Sequence, residues 1–409
     1  MSTRPALSPL RPPASPRRLE LADIFRAHGE AFQKTHRLTS AEHAVLRAVE
    51  ICRTAALGGH TETCDRCAAV RIAYNSCRNR HCPKCQTLSK ERWLAARQTE
   101  LLPVDYFHLV FTLPHALNPL ARINQRAIYD LLFQAVAETL RSFAHKHLGG
   151  EPGVTAILHT WSQTLLLHLH LHCLVTGGAL AKDGSRWVAA KPGFLFPVRA
   201  LSRVFQGKFL HALRAAFERG ELRFPTDPAR GARRRDFARL LRRLRSHPWV
   251  VYAKRPLAGP EQVLAYLGRY THRVALSNDR LVSLNHDTVR FRWRDSAHGN
   301  RRSILSLCAD EFIRRFLLHV LPKGFTRIRH FGLLANRYRK ARLFRCRQLL
   351  GQPADIPSQV PESAAALMLR VTGTDILRCP VCHQGRMQIA QLLPAPRRLS
   401  WAQRSPDTS

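Results

Sequence analysis

Residues Thr164-Leu-Leu-Leu-His168-Leu-His170-Leu-His172-Cys-Leu-Val-Thr176-Gly-Gly178 carry the reading that decides the fold. Polar and apolar residues alternate with a period of two, the pattern of a β-strand. That period sends His168, His170 and His172 to one face and Leu167, Leu169 and Leu171 to the other. Neighbouring imidazoles on a strand face stand about 7 Å apart, which suits two ligands of one divalent ion. A lone His-x-His is ordinarily packing or surface. Three in register on an apolar strand are costly to bury without a partner.

Outward from this strand the pattern continues. Gly153 to Trp161 and Tyr106 to Leu113 also read as strands, the latter ended by Pro114. Leu120 to His147 is an amphipathic helix ending before Gly149-Gly150. Helices follow over 202–219 and 233–245, then a strand over 249–254, a helix over 260–273, a hairpin over 281–293 and a helix over 309–321. This order predicts an α+β fold, a central antiparallel sheet with helices on its face. Leu19 to Thr54 reads as helical, with Ser40 as an N-cap. The expected division is a disordered basic tail over 1–18 and a helical, cysteine-rich domain over 19–101. The main sheet-bearing domain over 102–300 follows, then its helical C-terminal part over 301–350, and a linker, cysteine knuckle and disordered tail over 351–409.

Lys plus Arg is 65 against 28 for Asp plus Glu, a formal net charge of +37. A fold cannot bury that much charge, and a polyanion relieves the self-repulsion. Most of the cations are Arg, which grips phosphate oxygens as a fork. Nucleic acid is the expected partner. With no run of 18 apolar residues, no membrane span is expected, and a cytoplasmic, nucleoid-associated protein is.

Six of the 11 cysteines crowd between Cys52 and Cys85. Cys64-Asp-Arg-Cys67 and Cys82-Pro-Lys-Cys85 match the two knuckles of a structural zinc ribbon, whose four thiolates close a tetrahedron. Cys52, His60, Cys77 and His81 are surplus ligands that could form a second zinc site. Arg78, Arg80 and Lys84 add cations around the module and suggest a DNA-contacting knuckle. Cys379-Pro-Val-Cys382 is half a site without an evident partner.

Tyr266-Leu-Gly-Arg-Tyr270 places two phenols at helical spacing of four, with Arg269 and Arg273 as a second pair displaced around the helix and expected to contact DNA. On spacing alone these are packing tyrosines. Beside a metal on histidine ligands, a phenol can attack a polarised DNA phosphate and become a covalent carrier. Mg²⁺ or Mn²⁺ would suit such a site, with phosphate oxygens completing the ligand set.

Taken together, Tyr74-Asn-Ser-Cys-Arg-Asn-Arg-His-Cys-Pro-Lys-Cys-Gln86, the histidine strand through Gly178 and Tyr266-Leu-Gly-Arg-Tyr-Thr-His-Arg-Val-Ala275 resemble the insertion sequence ninety-one family of transposases. Leu317 to Gly324 and His330 to Ala335 resemble family segments too. These are two-tyrosine rolling-circle enzymes of the HUH endonuclease class. The resemblance covers roughly residues 19 to 350. It implies that His170-Leu171-His172 binds the catalytic divalent ion and that Tyr266 and Tyr270 are the nucleophiles. One attack would leave a 5′-phosphotyrosine and a free 3′-OH on single-stranded DNA at the insertion-sequence ends. The zinc module would help recognise those ends. The motif does not fix a third ligand. His168 ranks first, with His159 and Gln163 on the preceding strand as the other candidates. Leu169 replaces the family's frequent Pro, and Ala68 its frequent Gly after the first knuckle. The alternatives are a rolling-circle replication initiator or relaxase with the same chemistry, and a zinc-ribbon DNA-binding protein without catalysis.

Overall fold

The computed structural model describes residues 18–224, 230–257, 262–263, 268, 275–295, 299, 301–353 and 362–396. Tyr266, Tyr270, Arg269 and Arg273, most of the helix expected over 260–273, and most of both expected tails lie outside the described residues.

The histidine run forms β5 (Leu167–Ala181), the centre of an antiparallel sheet. Its neighbours are β3 (Tyr106–Thr112) and β4 (Gly150–Trp161). β7 (Val251–Leu257) pairs with β3 and β11 (Ile328–Gly332) with β4, giving the order β11-β4-β5-β3-β7. The short β6 (Trp187–Ala189) adds to the far end of β5.

Period-two alternation decides the two faces. Leu167, Leu169, Leu171, Cys173 and Val175 join Phe107, Leu109 and Phe111 of β3 in the main core. α5 (Gln125–Leu148) and α6 (Val198–Glu218) cover that face with Ile128, Leu132, Val136, Leu140, Phe205 and Phe209. Gly149 ends α5 in the left-handed conformation (φ 63°), where a glycine carries no Cβ penalty. The expected helix over 120–147 is broken at Asn124, which separates the short α4 (Asn118–Ile123) from α5.

The second sheet face carries the histidines. Beyond them Tyr106, Ile157, Leu174 and Val263 form a smaller core, with Trp93 and Leu94 of α3 (Pro83–Gln98) packed against it. Helices therefore cover both faces in part.

The N-terminal helices α1 (Leu21–Thr35) and α2 (Ser40–Glu50) do not make a core of their own. Leu21, Phe25, Phe32, Val45 and Leu46 share one cluster with Phe291, Phe312 and Phe316. The Phe25 and Phe316 rings meet edge to face at 5.5 Å. Phe291 lies on β9 (Thr288–Asp295), between β8 (Leu281–Asn285) and β10 (Arg301–Cys308). Phe312 and Phe316 lie on α8 (Ala309–Leu317). Thr39, rather than Ser40, caps α2, accepting from Glu42 N at 3.3 Å in a capping box.

Two C-terminal expectations are corrected. Residues 301–350 are not purely helical, because β10 and β11 are strands and β11 extends the main sheet; α9 (Arg339–Leu349) follows. Residues 362–396 hold α10 (Ala364–Thr372) and β12 (Met387–Leu393). β12 pairs with β1 (Gly59–Cys64), which pairs with β2 (Val70–Tyr74), so the chain end completes a sheet begun near its start. No helix among the described residues is long and apolar enough to cross a membrane.

Candidate metal centres

β4 and β5 place His159 opposite His170, and Ile157 opposite His172. Directly opposed residues on one face of an antiparallel pair are closer than i, i+2 neighbours on one strand. The result is a cluster of His159, His170 and His172 whose candidate ligand nitrogens lie within 4.8 Å of one another. Their ring centroids are 4.5 Å apart for His159–His172, 4.9 Å for His170–His172 and 5.4 Å for His159–His170. All three are nine-tenths buried or more.

His168 is not in this cluster. Its Nδ1 lies 3.0 Å from Nε2 of His115, on the turn after β3. The third position expected of His168 is taken by His159: the His168 ring lies 4.9 Å from that of His170, but its Nδ1 meets His115, whereas His159 closes the group with both His170 and His172. Gln163 lies beyond the end of β4 rather than on it.

Two hydrogen bonds orient the rings. His170 Nδ1 is 2.9 Å from the His168 carbonyl. A carbonyl only accepts, so Nδ1 carries the proton and Nε2 is the nitrogen able to ligate. His172 Nδ1 is 2.9 Å from Nε2 of His108 on β3. Burial, then the neighbouring Lys254 and His170, holds the His108 pKa down to about 3. Burial, then His168, does the same for His170, also to about 3. Both are neutral at pH 7, the state a ligand or its acceptor needs. The Trp161 ring stacks on His159 at 4.5 Å and fixes its plane. Beyond Trp161 a cavity is lined by Arg80, His81, Thr160, His319 and Arg327. Burial and the adjacent Arg80 push Arg327 down to about 10.

The cysteines converge in two groups, and neither is the ribbon expected from spacing. Cys52, Cys77, Cys82 and Cys85 form one, with Sγ separations of 3.6 Å for Cys52–Cys85 and Cys77–Cys85 and 3.7 Å for Cys52–Cys82. Four thiolates about 2.3 Å from a tetrahedral zinc stand about 3.8 Å apart, so this set fits that ion. Cys64 and Cys67 do not join Cys82 and Cys85; they face Cys379 and Cys382. The reason is topological: β1 pairs with β12, which carries the C-terminal knuckle to the first one.

His60 and His81 lie outside both groups. His60 Nε2 is 3.2 Å from Glu62, and His81 bonds Asn79 and the Leu321 amide. Of the five cations expected to meet DNA, Arg269 and Arg273 lie outside the described residues, Arg80 donates to the Phe325 and Pro322 carbonyls, and Lys84 pairs with Glu20 at 2.9 Å. Arg78 is exposed. Sequence reasoning missed His108, His115 and Trp161, although His108 could have been found from its alternation with Tyr106 and Val110 on a recognised strand.

Comparison with known proteins agrees with this architecture. Residues 153–342 match the family described as "Putative transposase", and residues 24–113 match the "Transposase zinc-binding domain". The chain is 54% identical over 373 residues to "Putative transposase y4qJ" of Sinorhizobium fredii, covering 90% of this chain and 94% of that protein. It is 29% identical over 354 residues to "Transposase for insertion sequence element IS801" of Pseudomonas savastanoi pv. phaseolicola, covering 83% of each. Two matched domains in chain order and a nearly end-to-end match at 54% identity leave one conclusion: this chain belongs to the insertion sequence ninety-one family of transposases.

Proposed function

We propose that this transposase nicks and rejoins single DNA strands through tyrosine, driving rolling-circle-type movement of an insertion sequence. The observation that carries the reading is the triad of His159, His170 and His172 on one sheet face. Val263 packs on that same face, in the cluster with Ile157 and Leu174. Tyr266 follows Val263 by three residues, and Tyr270 follows Gly268 by two. A Mg²⁺ or Mn²⁺ ion on the three imidazoles would supply charge to the scissile phosphate and the departing oxygen.

The chain's own residues do the rest. His168's carbonyl and His108 hold the ligand tautomers, and Trp161 holds the His159 ring. A tyrosine phenol gives up its proton and bonds to phosphorus. The phosphorus bond to the 3′ oxygen breaks, and that oxygen leaves as a free 3′-OH. The energy of the phosphodiester is kept in the 5′-phosphotyrosine, so a second 3′-OH can reverse the step and join strands. Arg-rich elements bind the phosphates; the cysteine modules shape the surface that reads the element's ends. The action is on DNA inside the bacterial cytoplasm.

The test is incubation of the full chain with labelled single-stranded DNA bearing an element end, plus Mn²⁺. The expected result is a covalent adduct mapped to Tyr266 or Tyr270 and absent from the Tyr266→Phe, Tyr270→Phe double variant. An adduct that survives in the double variant would refute the assignment, as would cleavage with no adduct.

A further inference from the structure

We propose that Cys64, Cys67, Cys379 and Cys382 hold a zinc ion of their own, and that this ion clasps the C-terminal segment to the N-terminal module. Cys67 and Cys379 stand 312 positions apart in sequence, yet their sulfurs are 3.7 Å apart. Cys64 and Cys382 are also 3.7 Å apart. Both distances match the sulfur separation around a tetrahedral zinc, about 3.8 Å.

Three further observations bear on the site. Backbone amides point at three of the sulfurs: Arg66 N to Cys64 at 3.4 Å, Val381 N to Cys379 at 3.4 Å and Gly385 N to Cys382 at 3.3 Å. Such donors stabilise thiolate over thiol. The two knuckles also turn alike, since Ala68 (φ 55°) and His383 (φ 56°) both follow the second cysteine in the left-handed conformation. A Cβ added to Gly385 would sit 2.4 Å from Cys64 Sγ, so that turn is shaped around the sulfur.

The surrounding core is too small to hold the segment alone. Cys64, Cys379 and Met387 are its buried members. β12 does pair with β1 over six positions, and Asp65 accepts from Arg386 N at 2.8 Å. A unit of this size ordinarily needs a metal or disulfide to stay folded. Ligation takes the four sulfurs as thiolates and releases their protons to solvent. Loss of the ion therefore frees the chain end and opens the β12 edge of the sheet.

The experiment is on the full chain. Zinc released by a thiol-specific organomercurial is expected at two ions per chain, and one ion would overturn the proposal without any variant. In the Cys379→Ser, Cys382→Ser variant the count is expected to fall to one. Alkylation followed by mass spectrometry should then label Cys64 and Cys67. Cys52, Cys77, Cys82 and Cys85 should stay unlabelled, certifying that the module is still folded. Cys64 and Cys67 remaining protected would show that their partners lie elsewhere and end the proposal.

Discussion

Four residues with positive φ each follow a clustered cysteine: Arg53 (57°), Ala68 (55°), Arg78 (52°) and His383 (56°). A non-glycine residue there costs about 1 kcal/mol, which the metal-ready turn must offset. Ala68→Gly should therefore raise stability by about 0.5 kcal/mol at most, the conformational gain less the entropy glycine adds to the unfolded chain. Chemical denaturation checks this, and a lowered midpoint would mean the Ala68 methyl makes contacts that outweigh the strain. At the same scale, His319 is buried between the Thr160 hydroxyl (3.1 Å) and the Leu165 carbonyl (3.0 Å). Burial pushes its pKa down to about 4 from 6.5. The unfolded chain takes up that proton near pH 6.5 and the folded chain does not. This contribution is complete above pH 6.5 and is lost as pH falls toward 4, costing about 2 kcal/mol at pH 5. Urea unfolding at pH 7.5 and pH 5 should show that loss, flattened in His319→Gln; equal slopes in both chains would contradict it.

Among the elements, α8 links distant parts of the chain. Phe316 packs on Phe25 and lies in the cluster that holds α1, α2 and β9. Phe316→Ala should cost about 3–5 kcal/mol and loosen α1 as much as α8. Hydrogen exchange reads this directly, and protection lost in α8 alone would show that the N-terminal helices have a core of their own. The same elements show what the sequence could tell. β3, β4 and β5 were legible because period-two alternation on long apolar strands is a strong local signal. β11 and β12 were not: β11 is half-buried throughout, β12 is mostly exposed, and both earn their strand geometry from partners far away in sequence. His170 and His172 could be read from one strand. His159 as the third member needed the β4–β5 register, which spacing within one strand does not contain. Pairing of Cys64 and Cys67 with the last knuckle was hidden for the same reason, and the nearer Cys82 and Cys85 were the natural but mistaken partners.

At the scale of the whole molecule, the charge of +37 is not spread evenly. Arg290, Arg292 and Arg294 alternate along the exposed face of β9, with Val289 and Phe291 turned into the core. α7 (Arg230–Arg245) presents further arginines. Binding of single-stranded DNA should weaken steeply with salt, log K falling by about 0.7 per neutralised phosphate. Replacing Arg290, Arg292 and Arg294 by Ser should reduce the slope of log K against log salt by about 2. An unchanged slope would place the bound strand elsewhere.

All of these scales meet at the histidine face, where the account stands or falls on which three imidazoles act together. Titration with Mn²⁺ in the presence of single-stranded DNA, followed by the resonance of the free ion, compares His159→Ala with His168→Ala. We expect His159→Ala to weaken binding by at least 10–100-fold, the range that even supporting residues of a metal site command, and His168→Ala to change it by about 2-fold or less. Binding lost with His168 and kept without His159 would contradict the account.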